Sequence, residues 1–423
     1  MAGKGLFLVC MRAADAAVRL PQKKTDRIMT RTLTLILMLA LALAACAANA
    51  WDGVTAEAFP VDAQSTGTRT RPYRITTPAQ LAYVARQVAA GERYAKRYFS
   101  IEADLDFGGF PFMPIGSLAH PFAGRVDGNH RRISNLRITT DALDDACHVG
   151  LFGYVCGASA QLPAQLVNLW LDESCSISVE ATGFVHVGAI AGYATRAQIS
   201  GCIFAGRMRV VCRGGDYNNL YLGGIVGGAA AAVSGGTSSA RVSCTSVANA
   251  QAGGIAGYAS AGLADCTHSG TIVVESTSAM VGGVVGCAQC PVERCVNGGS
   301  VTGTTRDRHN FVYAGGVAGE CLLDVSQSVN RGTVEARTRS TSVAGGIAGN
   351  VGASVTVAEC FSHGKVSASG TARAYAGGIA GMTGAKVAIS GCVADGRVRA
   401  SGGIAAGDAT VGHAEPDAAP HQP

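Results

Sequence analysis

Charged and aromatic side chains are scarce in this 423-residue chain: 15% of residues are charged, 6% are aromatic and only 12 are proline. Apolar residues still make up 48%, and low charge combined with ordinary hydrophobicity argues against a disordered chain. Irregular glycine spacing and few prolines exclude a collagen-like Gly-X-Y repeat. The chain must therefore fold compactly with unusually small residues, of which 57 are glycine.

Basic residues are in excess only near the start of the chain. The net charge is +5, but residues 1–46 hold seven Lys or Arg and two Asp or Glu, which leaves 27 residues of each sign in the remainder. Without a basic surface to neutralise phosphates, we expect neither a nucleic-acid partner nor electrostatic docking to anionic membranes. No His is followed by Glu, so the H-E-x-x-H motif of zinc proteases is missing, and we expect no metal or other cofactor.

The first 50 residues are typical of an export leader, in which basic residues precede an apolar run from Leu33 to Ala45. This run is shorter than the ~20 residues needed to span a bilayer, so an uncleaved membrane anchor is the least favoured interpretation. Met29 stands directly before Arg31 and the apolar run, and translation can start there or at Met1.

Two cleavage sites follow the apolar run, and the sequence leaves both open. Leu43-Ala44-Ala45-Cys46 resembles a bacterial lipobox, which would make a lipidated Cys46 the membrane anchor of the mature protein. Ala48-Asn49-Ala50 is an A-x-A site that would release a soluble chain beginning at Trp51. We therefore expect an exported protein, either a lipoprotein of the outer membrane or cell surface or a secreted protein.

A segment of the type Gly-Ile-Ala-Gly recurs nine times at spacings of 25 to 39 residues. Periods between about 20 and 50 residues are typical of stacked supersecondary units. The copies begin at Gly150, Ala189, Gly224, Gly254, Gly283, Gly316, Gly346, Gly378 and Gly403. The last copy, Gly403-Ile-Ala-Ala, is decayed. A second signature follows most copies, as in Cys360-Phe-Ser-His-Gly-Lys-Val.

These segments are too rich in Gly and β-branched residues for helices, because Gly costs about 1 kcal/mol per helical position relative to Ala. Each is better interpreted as a short strand that ends at a Gly corner. A unit of about 30 residues cannot bury its own apolar side, but stacked parallel units can. The predicted fold class is therefore all-β: a right-handed parallel β-helix, or β-solenoid, with rungs about 4.8 Å apart.

One Leu, Ile or Val in each copy is predicted to point into the core, so that these residues form one stacked column. The predicted column consists of Leu151, Ile190, Ile225, Ile255, Val284, Val317, Ile347 and Ile379. Replacing one of them by Asp is expected to unfold its rung.

The segment before the repeats has a different pattern. Thr77-Pro78 precedes apolar residues Leu81, Val84 and Val88, which predicts one short amphipathic α-helix. Most of the large aromatic residues also lie in this region, so we predict an N-terminal cap over the first rung. The predicted organisation is an export leader at 1–50, a cap with the first coils at 51–147, repeats at 148–407 and a disordered tail at 408–423.

The copies resemble the GLUG motif, named for its Gly-Leu-any-Gly core and repeated in bacterial surface proteins, including adhesins and the N-terminal part of IgA-specific metalloendopeptidases. The resemblance covers about Gly150 to Ala406, and Pro114-Ile-Gly116 is similar to the block that often precedes such arrays. It implies a parallel β-helix on the bacterial exterior, used for attachment or as a spacer, and it supplies no catalytic residues. We therefore expect a protein that is not an enzyme, whose partner is a host or bacterial surface protein or glycan.

Cys287, Cys290 and Cys295 lie close enough in sequence for a disulfide or a metal or redox site. An exported protein meets an oxidising compartment, so a disulfide or small buried side chains are favoured over a metal. Cysteines recur at one repeat position, where Ser328 substitutes in one copy, and this indicates a small buried residue rather than a required bond. The recurring cysteines are Cys202, Cys266, Cys295, Cys360 and Cys392.

Parallel β-helices also carry polysaccharide lyases and glycosidases, which need clustered carboxylates. Asp104 and Asp106 share a strand face, and Asp141, Asp144 and Asp145 form an acidic loop, but the sequence contains no recognisable active site. A carbohydrate-active β-helix enzyme is therefore the alternative to an attachment or spacer protein.

Two features of the repeats are candidates for a contact surface. Tyrosines flank the repeated segment, and they either cover corners of the core or form exposed columns that bind a sugar or a partner. These are Tyr154, Tyr193, Tyr258, Tyr221, Tyr313 and Tyr375. The inserts Arg213 to Leu220 and Arg306 to Phe311 lengthen two rungs, and because insertions often map to the binding face, they are the predicted contact surface.

Overall fold

The computed structural model of the chain describes residues 50–58, 65–143, 147–214, 219–305, 309–408 and 410–414. More than half of these residues belong to strands, which pair in parallel and stack as a β-solenoid of about nine turns. One short helix, α1 (Pro78–Ala89), accompanies them in this part of the chain. The predicted all-β parallel solenoid with one amphipathic helix is confirmed.

Three sheets run along the solenoid, and within each sheet a strand pairs with the equivalent strand of the neighbouring rung. Sheet I has 18 strands: Tyr73–Ile75, Tyr98–Ile101, Arg125–Asp127, Phe152–Cys156, Ala164–Val167, Ala191–Ser200, Val226–Ser234, Ala256–Ala259, Leu263–Ala264, Val285–Ala288, Val292–Glu293, Ala318–Cys321, Val325–Ser326, Ala348–Val351, Thr356–Ala358, Ala380–Thr383, Ala388–Ser390 and Val411–Ala414. Sheet II has 16 strands: Arg137–Leu143, Cys147–Val149, Ser176–Ala181, Val185–Gly188, Arg207–Cys212, Asn219–Gly223, Arg241–Ser246, Asn249–Gly253, Thr271–Glu275, Ala279–Gly282, Ser300–Thr304, Phe311–Gly315, Thr333–Thr338, Thr341–Gly345, Val366–Gly377 and Val398–Asp408. Sheet III has ten strands: Leu105–Asp106, Arg132–Ser134, Trp170–Leu171, Ile203–Phe204, Thr237–Ser238, Thr267–His268, Val296–Asn297, Val329–Asn330, Phe361–Ser362 and Val393–Ala394.

The repeated four-residue segment forms the corner between sheet II and sheet I. In one rung, the sheet II strand ends at Gly223 and the sheet I strand begins at Val226. A Cβ atom on Gly227 would lie 2.5 Å from the amide nitrogen of Val187 and 2.6 Å from the carbonyl oxygen of Gly192 in the neighbouring rung. Glycine is required at this position because two backbones approach closely, and no larger residue would fit.

The residues proposed for the core column, Leu151 to Ile379, are all buried, with no more than 1% of any of them exposed. From Ile190 onward, backbone hydrogen bonds join each one to the next: the amide of Ile225 donates to the carbonyl of Ile255, and the amide of Ile255 donates to the carbonyl of Val284, both at 2.9 Å. Full burial of such a side chain contributes about 1.5–3 kcal/mol relative to exposure. The corner of each rung is therefore anchored from the inside by one apolar residue.

The ninth corner lies beyond the position that the sequence suggested. Ile404 pairs with Arg373 within sheet II and is 60% exposed. The amide of Ile379 instead donates to the carbonyl of Thr410, and Val411–Ala414 continues sheet I. The Gly403 copy keeps only the Gly-Ile-Ala part of the repeat, and its spacing of 25 residues from the previous copy is too short for a full rung. Regular strands consequently extend past residue 407, where we had placed the end of the repeats.

Several sequence predictions fall outside the residues that the structure describes. These are the leader with the lipobox Cys46, the acidic residues Asp144 and Asp145, and the final segment 415–423 of the proposed tail. In the part of the chain that is described, no helix is long and apolar enough to cross a membrane.

Aromatic side chains and α1 close the N-terminal end. The helix begins after Thr77, whose amide donates to the side-chain oxygen of Gln80 at 3.2 Å, and its buried face includes Leu81 and Val88. Beside it, the ring of Phe122 packs against that of Phe152 with centroids 5.0 Å apart. Five of the twelve largest fully buried side chains lie between residues 75 and 107, in the first strands and the helix: Ile75, Leu81, Ile101, Leu105 and Phe107. A conventional core therefore covers the first rung.

Candidate functional site: a corner face of aromatic and amide side chains

Two columns of side chains flank the corner between sheets II and I. Column A lies at the end of the sheet II strands and consists of His148, His186, Tyr221, Gln251, Met280, Tyr313, Val343 and Tyr375. Column B directly follows the corner and consists of Tyr154, Tyr193, Gly228, Tyr258, Cys287, Glu320, Asn350 and Met382. We call the two columns together the corner face.

Aromatic rings stack along the corner face in its first rungs. The ring of His186 lies between those of His148 and Tyr221, at centroid distances of 5.1 and 4.7 Å and interplanar angles of 9° and 13°. In column B, the rings of Tyr154 and Tyr193 stack at 5.5 Å. Because these rings turn their faces toward one another along the solenoid, the faces are used for contacts within the protein.

The two ring stacks also touch across the corner. The ring of His186 meets that of Tyr193 edge to face at 4.8 Å, and His148 meets Tyr154 in the same way at 4.8 Å. Gly228 occupies the next position of column B, where a Cβ atom would lie 2.5 Å from the His186 ring. The first rungs of the corner face are therefore a packed aromatic cluster.

Burial keeps the two histidines of this cluster neutral near pH 7. Removal from water lowers the pKa of His148 to about 4. It lowers the pKa of His186 to about 3, with a smaller contribution from repulsion by His148. The Nδ1 atom of His186 is buried and has no hydrogen-bond partner among the described residues. These histidines are suited to packing, since a group with so low a pKa is a weak base at neutral pH.

Farther along column B, the side chains become polar. Glu320 accepts a hydrogen bond from Asn350 Nδ2 at 2.8 Å on one carboxylate oxygen, and the thiol of Cys287 donates to the other oxygen at 3.8 Å. Burial raises the pKa of the Cys287 thiol to about 12, and the nearby Glu320 charge adds to this effect. The three side chains thus form a hydrogen-bonded row on neighbouring rungs.

The cysteines considered for a disulfide are separate thiols in the structure. Cys287 faces Glu320 on the corner face, whereas Cys295 lies inside the solenoid, where its thiol donates to the carbonyl oxygen of Glu293 at 3.3 Å. Cys290 occupies the turn after the sheet I strand and is also buried. The three do not pair with one another because the strands direct them to different surroundings. None of the thirteen cysteines of the described residues is in a disulfide.

A buried row of polar side chains runs along sheet III, and the sequence reasoning missed it. Its members are fully buried and in register: Ser238, His268, Asn297, Asn330 and Ser362. Asn297 Nδ2 donates to Asn330 Oδ1 at 2.9 Å, which links two rungs. Both ring nitrogens of His268 lack a partner among the described residues, and burial lowers its pKa to about 4. This row could have been found in the sequence, because several repeats carry His, Asn or Ser two residues after the recurring cysteine position.

The carboxylates considered for catalysis make local contacts. Asp104 accepts a hydrogen bond from the amide of Arg132 at 2.9 Å, and Asp106 accepts one from the amide of Gly108 at 2.9 Å. Within the described ranges, no group of three or more His, Cys, Asp or Glu residues is arranged to hold a metal ion.

Two comparisons with known proteins gave matches, and a third gave none. No protein-family model matches the chain. A protein of Evansella cellulosilytica named "Putative Gly-rich membrane protein" is 34% identical over 90 residues, which are 21% of this chain and 10% of that protein. The chain therefore spans about a tenth of the length of this relative. A solved structure described as "a putative immunoglobulin A1 protease from Bacteroides ovatus" is 16% identical, with a TM-score of 0.38 over 82% of this chain and 85% of that chain.

Proposed function

We propose that the protein is an exported bacterial surface protein of the GLUG-repeat type, and that it attaches to a partner or acts as a spacer at the cell envelope without catalysis. The leader pattern, the repeats and the similarity to a protein named as a membrane protein support a surface location. The observation that carries the proposal is the continuous parallel ladder of sheets I and II. Such a ladder is a stiff support that presents surface groups at fixed separations, as repeat proteins that bind along one surface do.

The surroundings of the acidic residues Asp265 and Glu293 favour an attachment or spacer role over catalysis. Arg294 binds both Asp265 oxygens, at 2.7 and 3.0 Å, and also Glu293 at 2.9 Å. The hydrogen bond from Arg294 lowers the pKa of Asp265, and a carboxyl group that stays ionised cannot serve as a general acid. These exposed ion pairs therefore belong to the solvated surface of the protein rather than to a catalytic site.

The location can be tested on intact cells that produce the full chain with a C-terminal epitope. We expect external protease to remove the epitope, and we expect Cys46→Ser to move the protein from the membrane fraction to the medium. Cys10→Ser is the matched control and should leave the fractionation unchanged. A chain that stays protected inside intact cells would contradict the proposal.

The mode of action requires a second measurement on the exported protein. It is incubated with immobilised host and bacterial surface proteins and glycans, and mass spectrometry follows both retained partners and product masses. Retention of an intact partner supports attachment. New, shorter glycan products would instead make the protein a lyase or hydrolase and overturn the proposal.

A further inference from the structure

The outer face of sheet I carries a groove near the N-terminal end of the solenoid. Three neighbouring strands pair in parallel there: Tyr98–Ile101, Arg125–Asp127 and Ala164–Val167. Phe99 and Val126 of these strands belong to the core, so the residues on either side of them point outward in two columns. The first column consists of Tyr98, Arg125 and Gln165, and the second consists of Ser100, Asp127 and Val167.

A hydrogen-bonded loop closes one end of the groove. The amide of Tyr98 donates to the carbonyl of Gly67 at 3.0 Å, which fastens the loop to its strand. Thr68 and Arg71 exchange hydrogen bonds between their amide and carbonyl groups, at 3.1 and 3.2 Å, and close a tight turn around Arg69. Arg69 lines the groove beside the strands. Its position is therefore set by backbone hydrogen bonds.

The groove contains a cavity of about 220 Å³. This volume is smaller than the roughly 300–1,000 Å³ of sites that hold a whole drug-sized ligand. The cavity therefore suits a single unit, such as one sugar ring, of a longer ligand.

Two cations of the groove have no anionic partner in the described part of the chain. Neither Arg69 nor Arg125 forms a salt bridge or a side-chain hydrogen bond there, and Arg125 instead lies over the ring of Tyr98, with its guanidinium carbon 5.1 Å from the ring centroid. Two arginines and one aspartate give the lining a net charge of +1. The groove therefore favours a ligand that carries a negative charge, and guanidinium groups bind carboxylates through paired donors.

Asp127 adds a hydrogen-bond acceptor to the same groove. Its Oδ1 atom accepts hydrogen bonds from the amide of Asn129 at 2.8 Å and from Asn168 Nδ2 at 3.1 Å. No described residue donates to its Oδ2 atom, which is therefore available to a ligand hydroxyl group. The same carboxylate repels an anion that has no hydroxyl group to offer. The groove thus fits a ligand that combines a negative group with hydroxyl groups, as an acidic sugar does.

We infer that this groove binds one acidic sugar residue of a glycan, with the sugar carboxylate on Arg69 and Arg125 and a sugar hydroxyl group donating to Asp127. The inference rests on the proposed attachment function and assigns the attachment to one place on the solenoid. Basic and acidic residues balance after residue 46, so this local positive charge arises only when the fold brings the loop and the strands together.

The test measures binding of the exported full chain to oligosaccharides that end in galacturonate or in sialic acid. The same oligosaccharides with the carboxyl group reduced to an alcohol, polyglutamate and single-stranded DNA are measured beside them. The groove variants are Arg69→Gln and Arg125→Gln. Arg241→Gln is the matched control, because Arg241 is an exposed residue of a sheet II strand. Thermal denaturation of every variant verifies folding.

We expect at least one acidic oligosaccharide to bind, and its reduced form to bind about tenfold more weakly, equal to ~1.4 kcal/mol. Arg69→Gln and Arg125→Gln should each weaken the binding by a similar factor, whereas Arg241→Gln leaves it unchanged. Arg125→Lys should retain part of the affinity, since lysine keeps the charge but not the paired donors.

A further variant tests the role of the carboxylate. Asp127→Asn keeps an acceptor for Asn129 and Asn168 but removes the negative charge. It should raise the affinity for polyglutamate several-fold, because this polymer then no longer meets a like charge in the groove. An unchanged affinity for polyglutamate would contradict the role assigned to Asp127.

Three results would overturn the inference: equal binding of the acidic and reduced oligosaccharides, stronger binding of DNA or polyglutamate than of every acidic oligosaccharide, or an equal loss in Arg241→Gln. If no acidic oligosaccharide binds while the protein still attaches to whole cells, this inference fails and the proposed attachment function stands. If attachment to cells is also absent, the attachment part of the proposed function fails with it.

Discussion

The two ends of the solenoid differ in how they cover the core. At the N-terminal end, Phe122 is fully buried among the rings of Tyr94, Phe99 and Phe152, at centroid distances of 6.5, 6.1 and 5.0 Å. At the C-terminal end, Val398 is only partly buried, although it pairs in register with the fully buried Val366. The same repeat position is buried where a further rung covers it, as at Val366. It is partly exposed at Val398, where none of the described residues forms a further rung. The difference shows that burial here depends on neighbouring rungs more than on the residue type.

The largest expected effect is at the covered end. Phe122→Ala should destabilise the protein by about 3–5 kcal/mol, because it removes a fully buried ring and leaves a cavity. Urea denaturation followed by circular dichroism measures this loss. Phe361→Ala removes a 40% exposed ring and is the control, with an expected loss below about 0.5 kcal/mol. Equal losses would show that the cap adds no stability of its own.

A second comparison concerns acid sensitivity along the solenoid. The pKa of His268 falls from 6.5 in the unfolded chain to about 4 in the folded protein, so the unfolded state binds more protons between these values. The contribution of this group to the free energy of unfolding is therefore fully present above pH 6.5. It is lost as the pH falls from 6.5 toward 4, by about 3 kcal/mol. Farther along the same row, Asn297 and Asn330 do not titrate.

His268→Asn extends the row of buried asparagines and should remove the loss of stability at low pH that His268 causes. The pH-dependent losses caused by His148 and His186 remain. Thermal melting at pH 7 and pH 4.5 measures the change for both proteins. The prediction fails if the variant loses as much stability between the two pH values as the original chain. Ser238→Asn, in the neighbouring rung, controls for the added amide and should leave the pH dependence unchanged.

The smallest expected effect compares the two valines directly. Val366→Ala should cost about 2 kcal/mol, the value of two buried methylene-sized groups with a small cavity, and Val398→Ala about half as much. Hydrogen exchange measured strand by strand resolves the two losses even if the last rung opens separately. A larger loss for Val398→Ala would reverse the comparison between covered and uncovered rungs.

The sequence alone was sufficient for the repeat, the strand class and the identity of the inward corner residues such as Ile255. Periodic apolar and glycine positions determine these features, because each rung must bury the same face. The spacing between copies also indicated where the last rung ends, although the residues of the Gly403 copy suggested a different position. The spacing to Gly403 was too short for a full rung, and the structure places the corner near Thr410 instead.

The corner face could be anticipated only in part. The tyrosine columns were visible, but His148 and His186 were not assigned to them, although they hold the same repeat position as Tyr221. Contact across the corner depends on the angle between two strands, which a repeat pattern does not encode.

The thiols inside the solenoid have a consequence for how its opening can be followed. Cysteines occur in successive rungs, and eleven of the thirteen in the described residues are buried. Burial raises the pKa of the Cys202 and Cys244 thiols to about 12, so few thiolates form while a rung is closed. An alkylating reagent should therefore modify each buried cysteine only after its own rung opens, and the order of the modified peptides during denaturation gives the order in which the rungs separate.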